Sequence, residues 1–160
     1  MTGRGTGDEA EARARWFADV MAGRGVGGRP GPAVSVGDHA QALLVELETV
    51  FGAGAWVATV ILAVAVIEAH LREQAIASGR AHDPYLNAGR LFAEAGLDER
   101  FDVLRRARNR ALHVSDPPTL TVDMHWFEAE RLEAEARFAV RLVAAALYGG
   151  ALPEEPEEEE

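Results

Sequence analysis

Residues 50–67 run for eighteen positions without a charged side chain (VFGAGAWVATVILAVAVI), and any fold of this chain must shelter that stretch from water. A helix needs about 20 apolar residues to cross a bilayer, so this run reaches only the lower edge of that length. Gly52 and Gly54 stand near its start, which leaves thirteen residues, 55–67, for an uncharged helix before Glu68. Glu68, His70, Arg72 and Glu73 then continue the same helix, and the alanines and Thr59 dilute its hydrophobicity. The pattern predicts a central helix buried by its neighbours, becoming amphipathic toward its exposed end. A small membrane-associated protein built around 50–67 is the less favoured alternative.

The rest of the chain supplies those neighbours. No segment shows the alternation of a strand, and nothing repeats at a fixed period. Residues 8–21 form a first short helix with Trp16, Phe17, Val20 and Met21 clustered near its end. Residues 23–32 (GRGVGGRPGP) are a connection too rich in Gly and Pro for regular structure. A second helix starts at Val36 or Asp38 and runs to Phe51, with Leu43, Leu44, Leu47 and Val50 at helical spacing. The third covers 55–78 and stops at Gly79. Residues 83–96 carry a short helix anchored by Leu91 and Phe92. Asp98 caps a fourth long helix, which ends before Asp116, Pro117 and Pro118. Asp123 caps a last helix reaching Tyr148, where Gly149 and Gly150 stop it; Phe127, Leu132, Phe138, Leu142 and Leu147 are its expected core contacts. Four substantial helices with mostly short connections predict an all-α helical bundle with short accessory helices. The expected organisation is an N-terminal helix or arm and linker (1–36), the bundle (37–150) and a disordered acidic tail (151–160).

Composition narrows the chemistry. The chain has no cysteine, which excludes disulfide scaffolds, thiolate metal sites and cysteine nucleophiles and suits a cytoplasmic setting. Met1 and the Gly/Thr-rich residues after it, followed by acids, do not read as a secretory leader. All 16 basic residues are arginine, and the net charge of −10 disfavours broad non-specific binding to nucleic acid. Six of the 26 acids sit in the terminal run EEPEEEE (154–160), without which the net charge is −4. Opposite signs suggest that this tail lies over a basic cluster elsewhere.

That cluster is in the fourth helix. Leu104, Ala107, Ala111 and Val114 share one stripe at helical spacing and are expected to face the core. Arg106, Asn109 and His113 fall within an arc of about 60° on the opposite face, and Arg108 lies on a flank. Between residues 104 and 113 there are four arginines, one histidine and no acid. Arginine grips a phosphate through two parallel N–H donors at any relevant pH, and histidine exchanges protons near neutrality. Together they are what cleavage of a phosphodiester needs. The bland alternative is a solvated arginine face with His113 at a helix end.

Arg108, the polar Asn109 directly after it, and His113 five residues on resemble the motif of the HEPN superfamily, helical bundles of about this size that carry an Arg, four to six residues and then a His, often with a polar residue directly after the Arg. The architectural likeness covers residues 38–148, and its diagnostic part is about ten residues. The resemblance implies a metal-independent endoribonuclease with no cofactor, of the toxin or defence kind. His113 would take the 2′-hydroxyl proton or protonate the leaving 5′ oxygen. Arg108 would stabilise the phosphate and Asn109 would orient a partner, leaving a 2′,3′-cyclic phosphate. Arg105, Arg106 and Arg110 would bind the RNA, and Glu68 resembles a supporting polar position. The resemblance also implies a homodimer with facing motif helices and an antitoxin partner such as a nucleotidyltransferase, with no membrane. A non-catalytic helical module binding protein, nucleotide or RNA is the alternative. His39, His82 and His125 form no metal-spaced pair.

Overall fold

A computed structural model describes residues 5–23, 35–80 and 83–156; the connection at 24–32, His82 and the last four glutamates lie outside the described residues. Among the described residues the chain forms seven helices and no strand: α1 (Gly5–Met21), α2 (Asp38–Gly52), α3 (Trp56–Ala77), α4 (Ala88–Glu94), α5 (Glu99–Leu112), α6 (Val122–Phe127) and α7 (Ala129–Tyr148). This is the expected all-α bundle.

α3, the helix of the uncharged stretch, is central. It packs against α2, α5 and α7, and none of residues 54–75 is exposed. Thr59, fully buried, donates its hydroxyl to the Ala55 carbonyl at 3.0 Å, which satisfies a group that would otherwise be costly to bury. Among the described residues no helix is long and apolar enough to cross a membrane.

α2 and α3 form an antiparallel hairpin turned at Gly54, whose φ of +74° is cheap only for glycine. The far end of the hairpin is tied by charge. Gly37 caps α2 without a side chain, and Glu73 reaches across from α3 to accept the N–H groups of His39 (2.9 Å) and Ala40 (3.2 Å). A β-carbon at Gly37 would overlap the Glu73 carboxylate.

Three sequence expectations need correction. The N-terminal helix is no arm: Phe17 and Val20 are buried in the common core, and Trp16 stacks on Phe51 with ring centroids 5.1 Å apart. Arg137 of α7 lies 4.5 Å over the Trp16 ring, so α1 is clamped between α2 and α7. The last helix is broken in two at Glu128 (φ −125°, ψ 27°), with Thr121 rather than Asp123 as the first cap. No residue of α6 is buried, so nothing holds it in line with α7, and Phe127 is 85% exposed rather than in the core. Finally, the start of the tail is ordered onto the bundle, with Leu152 against the core and Pro153 buried.

Candidate functional site

α5 is positioned at its start by Asp98, whose side chain accepts the Arg100 N–H at 3.0 Å, and along its length by buried Phe101, Leu104 and Ala107. Phe92 of α4 meets Phe101 edge-on at 6.3 Å, which sets α4 beside α5. The helix ends one residue earlier than its motif. His113 is the C-terminal cap with extended backbone (φ −109°, ψ 127°), and its N–H donates to the Asn109 carbonyl at 3.0 Å. Val114, expected in the core stripe, is 99% exposed because the chain has already left the helix. The common outward face of Arg106, Asn109 and His113 therefore does not survive as a helical face: Arg106 and His113 are exposed, Asn109 is half-buried, and His113 projects from the following segment.

Arg108 is more deeply set than its flank position suggested. Phe101 widens the buried arc of α5, and at about 100° per residue Arg108 falls between Phe101 and Leu104. The residue is half-buried, and its Nε is sealed from solvent without a hydrogen-bond partner. Among the described residues its guanidinium has no carboxylate within ion-pair distance.

The arginines that flank it, Arg105, Arg106 and Arg110, are all paired. Arg105 Nε donates to Asp102 at 2.7 Å, and Arg106 shares the same carboxylate at 3.7 Å. Arg110 Nη2 donates to Glu135 of α7 at 2.7 Å. Arg131 and Glu135, which the sequence reading passed over, bring α7 into the site, and Arg131 pairs with Glu128 at 2.6 Å. Four guanidiniums thus face three carboxylates, so the surface is only weakly cationic. Two hollows adjoin it. A cavity of about 40 Å³ lies under α6 between Val60, Ala107, Met124 and Leu132. A larger cleft of about 670 Å³ opens between α5 and α7, bordered by Arg106, Arg110, Arg131 and Phe138.

Glu68 stands apart from this site. The end of α3 that borders α5's last turns is Trp56, Val57 and Val60, and Glu68 lies eight residues further, about 12 Å along the axis. Its partner is Arg72 at 3.6 Å, and Arg72 in turn donates to the Leu86 carbonyl at 2.7 Å. His70, on the same stretch, is buried with neither ring nitrogen hydrogen-bonded, and burial holds its pKa below the ordinary value against the opposing pull of Glu73. Among the described residues no group of three His, Asp or Glu side chains is placed to hold a metal ion.

Comparison with protein-family models, with curated proteins and with solved structures found no match.

Proposed function

We propose that the C-terminal end of α5 binds a phosphodiester and that the chain is a metal-independent endoribonuclease of the HEPN type, acting as a homodimer. The observation that carries this reading is Arg108: a half-buried arginine with no acidic partner among the described residues. A fixed charge held without a counter-ion is a site waiting for an anion, because burying it uncompensated is costly. His113 is five residues away, exposed and on extended backbone, where solvent and substrate can reach it.

In this reading a ribose 2′-oxygen attacks the adjacent phosphorus while the 5′ oxygen leaves, giving a 2′,3′-cyclic phosphate and a 5′-hydroxyl. Arg108 offsets the charge that gathers on the phosphoryl oxygens, and Asn109 orients the phosphate or His113. One histidine serves one proton transfer, so His113 of a second copy would serve the other. Arg106 and Arg110 would meet the flanking phosphates. A neutralising partner, such as an antitoxin nucleotidyltransferase, and a toxin or defence role fit a nuclease of this kind.

A non-catalytic binding module is the second reading, and the pairing of Arg105, Arg106, Arg110 and Arg131 with resident carboxylates favours it. Cleavage of single-stranded RNA in EDTA separates the two. The nuclease reading expects cyclic-phosphate products, and a loss on the order of 10²- to 10⁴-fold in Arg108→Ala and His113→Ala proteins of unchanged helicity. Binding of RNA by wild type without cleavage overturns it in favour of the module.

A further inference from the structure

α5 has two polar faces, and they differ in chemistry. Arg106 and Arg110 stand two residues either side of Arg108, so at about 100° per residue each lies about 160° round the helix from it. The α5–α7 cleft is therefore a place apart from Arg108. Val103, Leu104 and Ala107 of α5 and Phe138 of α7 give it an apolar floor, with half-buried Pro156 at its border. Leu152 packs on the core and Pro153 is buried, so the chain after α7 is anchored where it walls the cleft. The volume is about 670 Å³. Small-molecule sites occupy roughly 300–1,000 Å³ and are mostly apolar with a few placed polar groups, which is the make-up of this cleft.

Charge at the rim decides what such a molecule must carry. Arg105, Arg110 and Arg131 each meet a carboxylate oxygen at 2.6–2.7 Å, those of Asp102, Glu135 and Glu128. Arg106 is left over. Its only carboxylate among the described residues is Asp102, which it shares with Arg105 and which lies 3.7 Å away, beyond hydrogen-bond distance. With 60% of its side chain exposed, Arg106 holds its donors free at the edge of the cleft. One uncommitted guanidinium suits one negative charge, and Glu135 and Glu155 on the same border work against several. A phosphate monoester brings close to two charges, whereas a carboxylate brings one. A planar carboxylate also matches the paired N–H donors of a guanidinium, and an apolar body attached to it would cover the floor.

We propose that the α5–α7 cleft binds a small monocarboxylic acid with an apolar chain or ring, its head on Arg106 and its body along Val103, Ala107 and Phe138. The site stands without the ribonuclease reading.

Octanoate titrated into the full chain, followed by its amide signals, tests this. Saturable shifts are expected at Val103, Arg106, Ala107 and Phe138. Octanol should bind about tenfold more weakly, because the charge-assisted hydrogen bonds to the head are missing, and octylammonium should not bind. Arg106→Gln, at an exposed position that the core does not use, should weaken octanoate by a similar factor with unchanged helicity. Equal affinity for octanoate and octanol, or equal affinity in wild type and Arg106→Gln, overturns the proposal and leaves a plain apolar groove. Inorganic phosphate that shifts the same amides as tightly as octanoate overturns it in favour of a phosphate site. Shifts confined to Val122, Trp126 and Phe127 overturn it by placing the ligand on α6. Octanoate bound in the cleft with no RNA cleaved or bound would sink the ribonuclease reading alone; RNA cleaved with the cleft indifferent to octanoate would sink this proposal alone.

Discussion

A guanidinium carries five N–H donors and cannot shed its charge, so a position that buries part of it without a carboxylate works against folding. Arg108 is such a position, lying within the buried arc of α5 between Phe101 and Leu104. If it is held there for a ligand, removing the charge while keeping the apolar stem should help the fold. Arg108→Met is expected to raise unfolding stability by about 1 kcal/mol in urea titrations while abolishing RNA cleavage. A loss of stability would instead mark Arg108 as a structural residue. His70 gives the second prediction at this scale. It is 1% exposed with both ring nitrogens unpartnered, and its pKa in the folded chain is depressed from 6.5 by burial. Above pH 6.5 both the folded and unfolded chains hold it neutral. Below that, the unfolded chain takes up the proton first, so stability falls with pH, by at most about 1.4 kcal/mol per pH unit from this group until the folded pKa is passed. Unfolding titrations at pH 7.5 and 5.5 should show this drop in wild type and a smaller one in His70→Leu. An equal drop in both would place the acid sensitivity elsewhere.

Among the elements, the start of α2 shows how a helix end is settled by a residue far along the chain. Gly37 leaves room for the Glu73 carboxylate to accept two of α2's free N–H groups. Gly37→Ala keeps an ordinary extended backbone (φ −70°, ψ 164°) but displaces that carboxylate. The expected cost is about 1 kcal/mol, the worth of a helix cap, and Glu73→Ala should match it with little further loss in the double variant. Additive losses would mean that the two residues act separately. The sequence made α2, α3 and α5 legible because their apolar stripes and punctuating residues agree: Asp98 caps α5 and Gly79 ends α3 as their chemistry requires. It could not show the break at Glu128, which no Gly or Pro marks and which follows from the lack of any buried side chain on α6. The site was half legible for the same reason. Helical periodicity locates the arginines, but the helix stops at Leu112, which takes His113 off its outward face, and buried Phe101 widens the core-facing arc to take in Arg108. Arg131 and Glu135 come from another helix, and their approach to α5 is a tertiary fact.

For the whole molecule, the question is what covers the end of the bundle where this chemistry sits. Leu112, Val114, Val122, Trp126 and Phe127 are all exposed large apolar residues, and all belong to the segment that carries His113 and borders the site. Apolar side chains gathered this way, two of them aromatic, are characteristic of a protein interface, and aromatic residues tend to dominate the binding energy there. In the proposed reaction a single His113 would serve one proton transfer, so a second copy docking through the same segment would meet two needs at once: burial of these side chains and delivery of a second histidine. Sedimentation of the wild type is then expected to give a dimer. Trp126→Ser combined with Phe127→Ser should give a folded monomer, because neither side chain contributes to the core. Cleavage should fall with the dimer, and should stay lost in a mixture of His113→Ala and Arg108→Ala chains, because their mixed dimer holds one His113 where the two proton transfers call for two. A wild type that sediments as a monomer while cleaving RNA would remove the composite cleft and require both proton transfers from one chain. A monomer that binds RNA without cleaving it would leave the apolar segment as the docking face of a different protein, with Arg108 as the anchor for its anionic ligand.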